Sequence, residues 1–227
     1  MPSRVSLLEL DDRSVCEVDA SKVDAARLWN YCNPTDGRSS AVNDTVYLRE
    51  WGEDMARLAN AFSAGFQAAQ GYPPGEHEVR LVSAEEGAAA VALLVHAGAA
   101  EVLREYYAQL GSIVLPDLGS GLWIDDASSL VSQAEAGNYP KKLAGALHDT
   151  VTVFGTDGGG GMYAVSHTSG GIYHLTLGAL TNDSYDLDAD GYRCTATGLR
   201  DFLEQLRTDL TGAVLAQQAA HPRRGRQ

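Results

Sequence analysis

Apolar residues recur every three or four positions along 45–70, where Tyr47, Trp51, Met55, Leu58, Phe62 and Phe66 fall on one stripe. That period predicts an amphipathic helix whose stripe packs into a core. Gly71-Tyr72-Pro73-Pro74-Gly75 stops it, because proline has no amide to donate and fixes its own φ. Val79 and Leu81 then alternate with charged residues, predicting a strand over 78–83. Ser83-Ala84-Glu85-Glu86 has capping-box spacing, and the alanine-rich run behind it continues as a helix that Gly98 weakens or breaks. A second stripe (Val102, Leu103, Tyr106, Tyr107 and Leu110) predicts a helix over 101–110 with Gly111 as its C-cap. Short strands are expected at 113–115 and 122–124. Asp125-Asp126 can cap a helix running to Glu135, and a loop follows at 136–140.

The stretch that organises the expected fold is 151–178, VTVFGTDGGGGMYAVSHTSGGIYHLTLG. Val151 to Phe154 is β-branched and aromatic, which suits a strand. In 162–166 Tyr163 and Val165 share one face, and in 172–177 Tyr173, Leu175 and Leu177 share one side. Two glycine-rich turns join these runs, so an antiparallel meander is the simplest pairing. An acidic loop is expected over 182–191. A last helix over 199–215 carries Leu199, Phe202, Leu203, Leu206, Leu210 and Val214 on one face. Nearer the N-terminus the pattern is weaker, with short strands at 4–10 and 15–18, a helix from Asp19 or Ser21 to Tyr31, and a turn at Asn33-Pro34-Thr35-Asp36-Gly37. The expected fold is α+β, a mostly antiparallel sheet with a central meander, flanked by helices.

The run VFGTDGGGGMYAV resembles the signature of the SUKH superfamily (Smi/Knr-like proteins), in which a hydrophobic strand leads into FG-x-D-GGG and a second strand leaves it. LREYYAQLGSIVLPDLGSGLWI, Leu103 to Ile124, is similar to the family's opening helix, turn and first strand, and the helix over 199–215 sits where the family closes. The likeness covers residues 96–217, the expected SUKH-like domain. Residues 1–95 are then an N-terminal, mainly helical extension or subdomain, and 218–227 a basic flexible tail. The resemblance implies a non-catalytic protein-binding domain: an immunity protein that sequesters a cognate polymorphic toxin, such as a nuclease. The family also implies an alternative, a regulatory adaptor or scaffold in cell-wall or stress signalling. A small-ligand protein or enzyme using a cleft near the glycine turn is the remaining reading.

Charge narrows the choice of partner. The net charge is −13 over 227 residues, and Arg223, Arg224 and Arg226 lie in the tail, so the rest is more acidic still. An acidic body argues against nucleic-acid and anionic-membrane binding and fits a basic protein partner. Cys16, Cys32 and Cys194 are too few and too irregularly spaced for a disulfide framework or a zinc site. No secretory signal is expected from MPSRVSLLELDD, and the apolar run 88–100 is too short to span a bilayer. A cytoplasmic setting is expected.

The glycine run opens onto a strand and lacks a following lysine, so it reads as a structural bend rather than a phosphate loop. Asp186-Leu187-Asp188-Ala189-Asp190-Gly191 matches the start of an EF-hand loop, but Thr197 stands where the bidentate glutamate belongs. The six histidines show no metal spacing, and Ser120 is not set in G-x-S-x-G. No metal, cofactor or catalytic residue is therefore expected. Trp123 admits two readings, an interface anchor or a core residue before a helix cap. The candidate partner-binding residues are Trp123, Asp125, Asp126, Asp157, Tyr163, Asp186, Asp188 and Asp190.

Overall fold

The computed structural model of the chain describes residues 41–220. The strands expected at 4–10 and 15–18, the helix to Tyr31, the turn at Asn33–Gly37 and the tail from His221 lie outside them. Helix α1 (Ala41–Gln70) buries Trp51, Met55, Phe62 and Phe66, so the stripe does face the core. Strand β1 (Glu78–Leu81) precedes α2 (Ala84–Ala97). Ser83 caps α2 with both halves of a capping box, and Gly98 ends it in the left-handed conformation at φ 69°. Helix α3 (Glu101–Tyr107), β2 (Leu110–Leu115), β3 (Leu122–Ile124) and α4 (Ala127–Glu135) follow. Then come β4 (Lys142–Gly145), β5 (Asp149–Asp157), β6 (Met162–Ser166), β7 (Ile172–Leu175), β8 (Gly178–Thr181), β9 (Ser184–Leu187), β10 (Tyr192–Ala196) and α5 (Leu199–Ala220).

The fold is α+β with a mostly antiparallel sheet, and β5, β6 and β7 form the central meander. Strand β5 is the branch point. Its C-terminal half pairs with β3, its first residues pair with β4, and its other edge carries β6. One line of strands therefore runs β1-β2-β3-β5-β6-β7-β10, and a side arm runs β4-β9-β8 from the start of β5. The β4–β9 pair is parallel. The register of β5 against β6 slips between Val153 and Gly155, a bulge beside Phe154, whose ring meets Phe202 of α5 with centroids 5.5 Å apart.

Two cores lie on opposite faces of this sheet. The larger joins α1, α3, α4 and α5 to Ile113, Leu122, Ile124, Phe154, Val165 and Ile172. Residues on both sides of position 95 share it, and Trp51 of α1 donates its indole N–H to the Leu203 carbonyl of α5 at 3.1 Å. The smaller core sets Val151, Val153, Ala164, Tyr173 and Leu175 against Tyr139, Leu143, Tyr185 and Leu187 of the side arm and the loop before it.

Four local expectations are corrected. Helix α3 stops at Tyr107, and Leu110 and Gly111 open β2, because Leu110 is buried between the helix layer and the sheet. Strand β7 ends at Leu175, and Leu177 is 59% exposed, since the chain leaves the ladder to enter the side arm. The acidic loop expected over 182–191 contains β9, whose Tyr185 and Leu187 alternate inward while its polar residues face out. Strand β10 occupies the approach to the last helix, paired with β7.

Candidate functional site

The glycine turn between β5 and β6 is organised by Asp157. Its Oδ1 accepts the backbone N–H groups of Gly159 (2.8 Å) and Gly161 (2.7 Å), and its Oδ2 accepts from His174 Nε2 at 2.8 Å. Burial works against the charge on Asp157, but the bonds from Gly161, His174 and Gly159 together outweigh it and hold the carboxyl below its usual range. An ionised carboxylate only accepts, so Nε2 carries the shared proton. The His174 ring stacks on Tyr163 (4.7 Å between centroids, 17° between planes), and Tyr163 in turn meets Phe202 of α5 at 5.3 Å. Asp157, His174 and Tyr163 thus form one cluster on the helix-bearing face of the sheet.

Trp123 reaches the same turn from the opposite face. Leu122 and Ile124 point into the larger core, so Trp123 between them points away from it, half-buried. Its ring covers Gly121 and lies against Gly158. A Cβ on Gly121 would sit 2.5 Å from the indole, and at φ 93° that backbone suits glycine in any case.

Asp125 and Asp126 serve other ends. Asp126 caps α4, accepting from the Ser128 and Ser129 N–H groups at 2.9 Å each. Burial opposes its charge, but the Ser128 and Ser129 bonds prevail and keep its carboxyl below the usual range. Asp125 has the opposite balance. Burial pushes its carboxyl up, the neighbouring Asp126 charge adds to this, and the 2.5 Å bond from the Tyr139 hydroxyl only partly offsets it. Asp186, Asp188 and Asp190 are exposed on the side arm and its exit loop, and none holds an ion pair among the described residues. Asp186 lies in a strand, with strands rather than a helix leading into it. The structure therefore unites Asp157 with Tyr163, brings Trp123 beneath their turn, and leaves the other five apart.

Two polar constellations were not foreseen. His174, one of six histidines without metal spacing, has Asp157 as its neighbour and partner. Only its register opposite Tyr163 across the β6–β7 ladder could have signalled this. Asp149 gathers the hydroxyls of Ser166 (2.5 Å), Thr168 (2.7 Å) and Tyr173 (3.2 Å), and Ser166 Oγ accepts the Thr168 and Ser169 N–H groups. These partners lie 17 to 24 residues from Asp149 in sequence, and no local pattern links them. His167 turns aside to Thr152, so the serine, histidine and aspartate here do not form a triad.

A cleft of about 180 Å³ opens between α1, α3 and the start of α5. Arg200 stacks on Tyr47 there, 3.9 Å from the ring centroid, and Tyr47 donates its hydroxyl to Glu204 at 2.7 Å. It is smaller than the roughly 300–1,000 Å³ usual for small-molecule sites. No helix among the described residues is long and apolar enough to cross a membrane. No protein-family model, curated protein or solved structure matches the chain.

Proposed function

We propose that the chain is a protein-binding domain without catalytic turnover, an immunity protein that neutralises a basic toxin domain in the way the SUKH resemblance implies. The observation that supports this is the side arm. Between Leu175 and Tyr192 the chain carries Asp183, Asp186, Asp188 and Asp190 and no lysine or arginine. Asp183 pairs with Lys142 at 3.2 Å, and the other three carboxylates face water. A toxin that acts on nucleic acid must present a basic surface, and an acidic inhibitor competes for it. Steering by such exposed charges accelerates encounter more than it deepens affinity.

The test is co-purification of the tagged chain with its partner from the organism that encodes it, followed by co-expression of the two in a heterologous host. A basic protein that is toxic alone and harmless with the chain supports the reading. A partner that is not toxic and belongs to a signalling assembly replaces it with the adaptor reading.

A further inference from the structure

The sheet has three open edges among the described residues, β1, β10 and β8, and they differ in how they are protected. Folded proteins guard open edges with charge, bulges, proline or a covering element, because unpaired N–H and C=O groups template another strand. Strand β1 carries Glu78 and Arg80, has an irregular register between Val79 and Leu81, and lies under α1. Strand β10 carries Arg193, is irregular between Cys194 and Ala196, and packs on α5. Strand β8 (Gly178-Ala179-Leu180-Thr181) has no charged residue, no proline and a regular register with β9. All four of its residues are exposed, with Leu180 at 38%. Its only ladder among the described residues is with β9, so every second residue directs its N–H and C=O away from the sheet.

We propose that this edge receives an extended, lysine- or arginine-rich segment of the protein partner as an added antiparallel or parallel strand. The proposal rests on the protein-binding reading above and gives it a mode of contact. The side chains around the edge define what fits. Leu180 is cross-strand from Tyr185 on the face of the smaller core, whereas Ala179 is cross-strand from Asp186 on the opposite face. An added strand lies two strand spacings from β9, roughly 10 Å. Ala179 is short, so a lysine on the same face can pass over it toward Asp186. Apolar residues at the alternate positions then meet Leu180. The matching segment therefore alternates apolar and basic residues. A second copy of this chain would bring no lysine or arginine over Ala179 to Asp186, since its own 175–192 holds none.

The experiment uses an end-blocked eight-residue peptide of alternating valine and lysine as probe, with the full chain. Two controls accompany it: a valine–glutamate peptide, and a valine–lysine peptide with prolines replacing two valines, which keeps the charge and removes strand pairing. Fluorescence anisotropy gives affinity, and hydrogen exchange with mass spectrometry gives the site. The expected result is slowed amide exchange in 178–181 with the valine–lysine peptide, at least tenfold weaker binding of both controls, and at least tenfold weaker binding to Ala179→Lys, an exposed substitution that places a repelling charge in the path. Unchanged exchange in 178–181 at millimolar peptide, equal binding of the proline control, or an unaffected Ala179→Lys overturns the proposal. Those outcomes leave the toxin-neutralisation test untouched. Failure of that test, with protection of 178–181 intact, would remove the immunity reading and keep the edge as a strand-binding site.

Discussion

In the turn between β5 and β6, Asp157 is folded inward, its side chain 9% exposed and its oxygens taken up by two glycine N–H groups and His174. In the side arm, Asp186, Asp188 and Asp190 face water with no cation beside them among the described residues. Both stretches read alike in sequence, as aspartate beside glycine in a turn. What separates them is the supply of donors. The four-glycine run curls so that its own N–H groups converge on one carboxylate, and the facing strand β7 supplies an imidazole. Strand β9 instead alternates Tyr185 and Leu187 inward, which forces Asp186 outward. A carboxylate consumed internally stabilises the fold, and one left over is free to meet a partner.

The comparison breaks most readily at Gly158. A Cβ there would overlap the Ser120 carbonyl oxygen, which the Gly158 N–H itself engages at 3.1 Å, so neither backbone can retreat without losing the bond. Gly158→Ala is expected to cost about 3 kcal/mol, lowering the melting temperature by roughly 10 °C for a chain of this size. Gly159→Ala is its internal control. The nearest atom there, Asp157 Oδ1, is at 3.4 Å and the backbone is not left-handed, so its melting point should stay close to wild type.

Next in size is Asp157→Ala, which strands two N–H groups and His174 without their acceptor. It should cost about 2–3 kcal/mol by urea unfolding, whereas Asp186→Ala should stay within about 0.5 kcal/mol. Equal losses at the two positions would erase the distinction between an internal and a free carboxylate.

The acid limb of the stability curve sharpens it further. Asp157 has a depressed carboxyl, so its contribution is present above the ordinary aspartate value, near pH 4, and is lost as pH falls through the lower folded value. Asp125 runs the other way. Burial raises its carboxyl, so the folded state keeps that proton longer than the unfolded chain, and stability falls as pH rises between the ordinary value and the raised one. Asp125→Asn retains an acceptor for Tyr139 and removes that slope. Its melting temperature relative to wild type should therefore be higher at pH 7 than at pH 4. A variant whose relative stability is greater at pH 4 would show that the charge of Asp125 is favoured in the fold.

Much of this was legible beforehand, and the reason is locality. The stripe through Trp51 and Phe66, the capping box at Ser83, the cap at Asp126 and the meander at 151–175 each rest on a period or a spacing within one element. The side arm was not legible. Strands β4, β8 and β9 are four residues each, and β8 lacks alternating burial, so its pairing comes from a hairpin that packs on the smaller core rather than from its own residues. The site divided in the same way. Asp157 was read as a candidate partner-binding residue in a glycine turn, whereas its oxygens are taken up inside the fold, and its tie to His174 depends on the β6–β7 register. The helix stop after Tyr107 went unseen because Leu110 continues the apolar stripe while belonging to β2.

The smallest expected effect is the stability of Asp186→Asn/Asp188→Asn/Asp190→Asn, and its sign is informative. Three like charges on one short arm repel one another, and the chain as a whole carries −13. Removing them relieves part of that self-repulsion. The charges are exposed, and the Debye length at physiological salt is about 8 Å, so the relief is modest. The triple variant should therefore melt slightly above wild type, by about one or two degrees, in low salt, and the difference should vanish near 0.5 M salt. Its association with the valine–lysine peptide, or with the identified partner, should slow and show a shallower salt dependence while dissociation changes little, because exposed rim charges act mainly on encounter. Differential scanning calorimetry at two salt concentrations and surface plasmon resonance read the two halves. A clear fall in melting temperature would place these aspartates in the same internal role as Asp157, and the side arm would then offer no free charge to a partner.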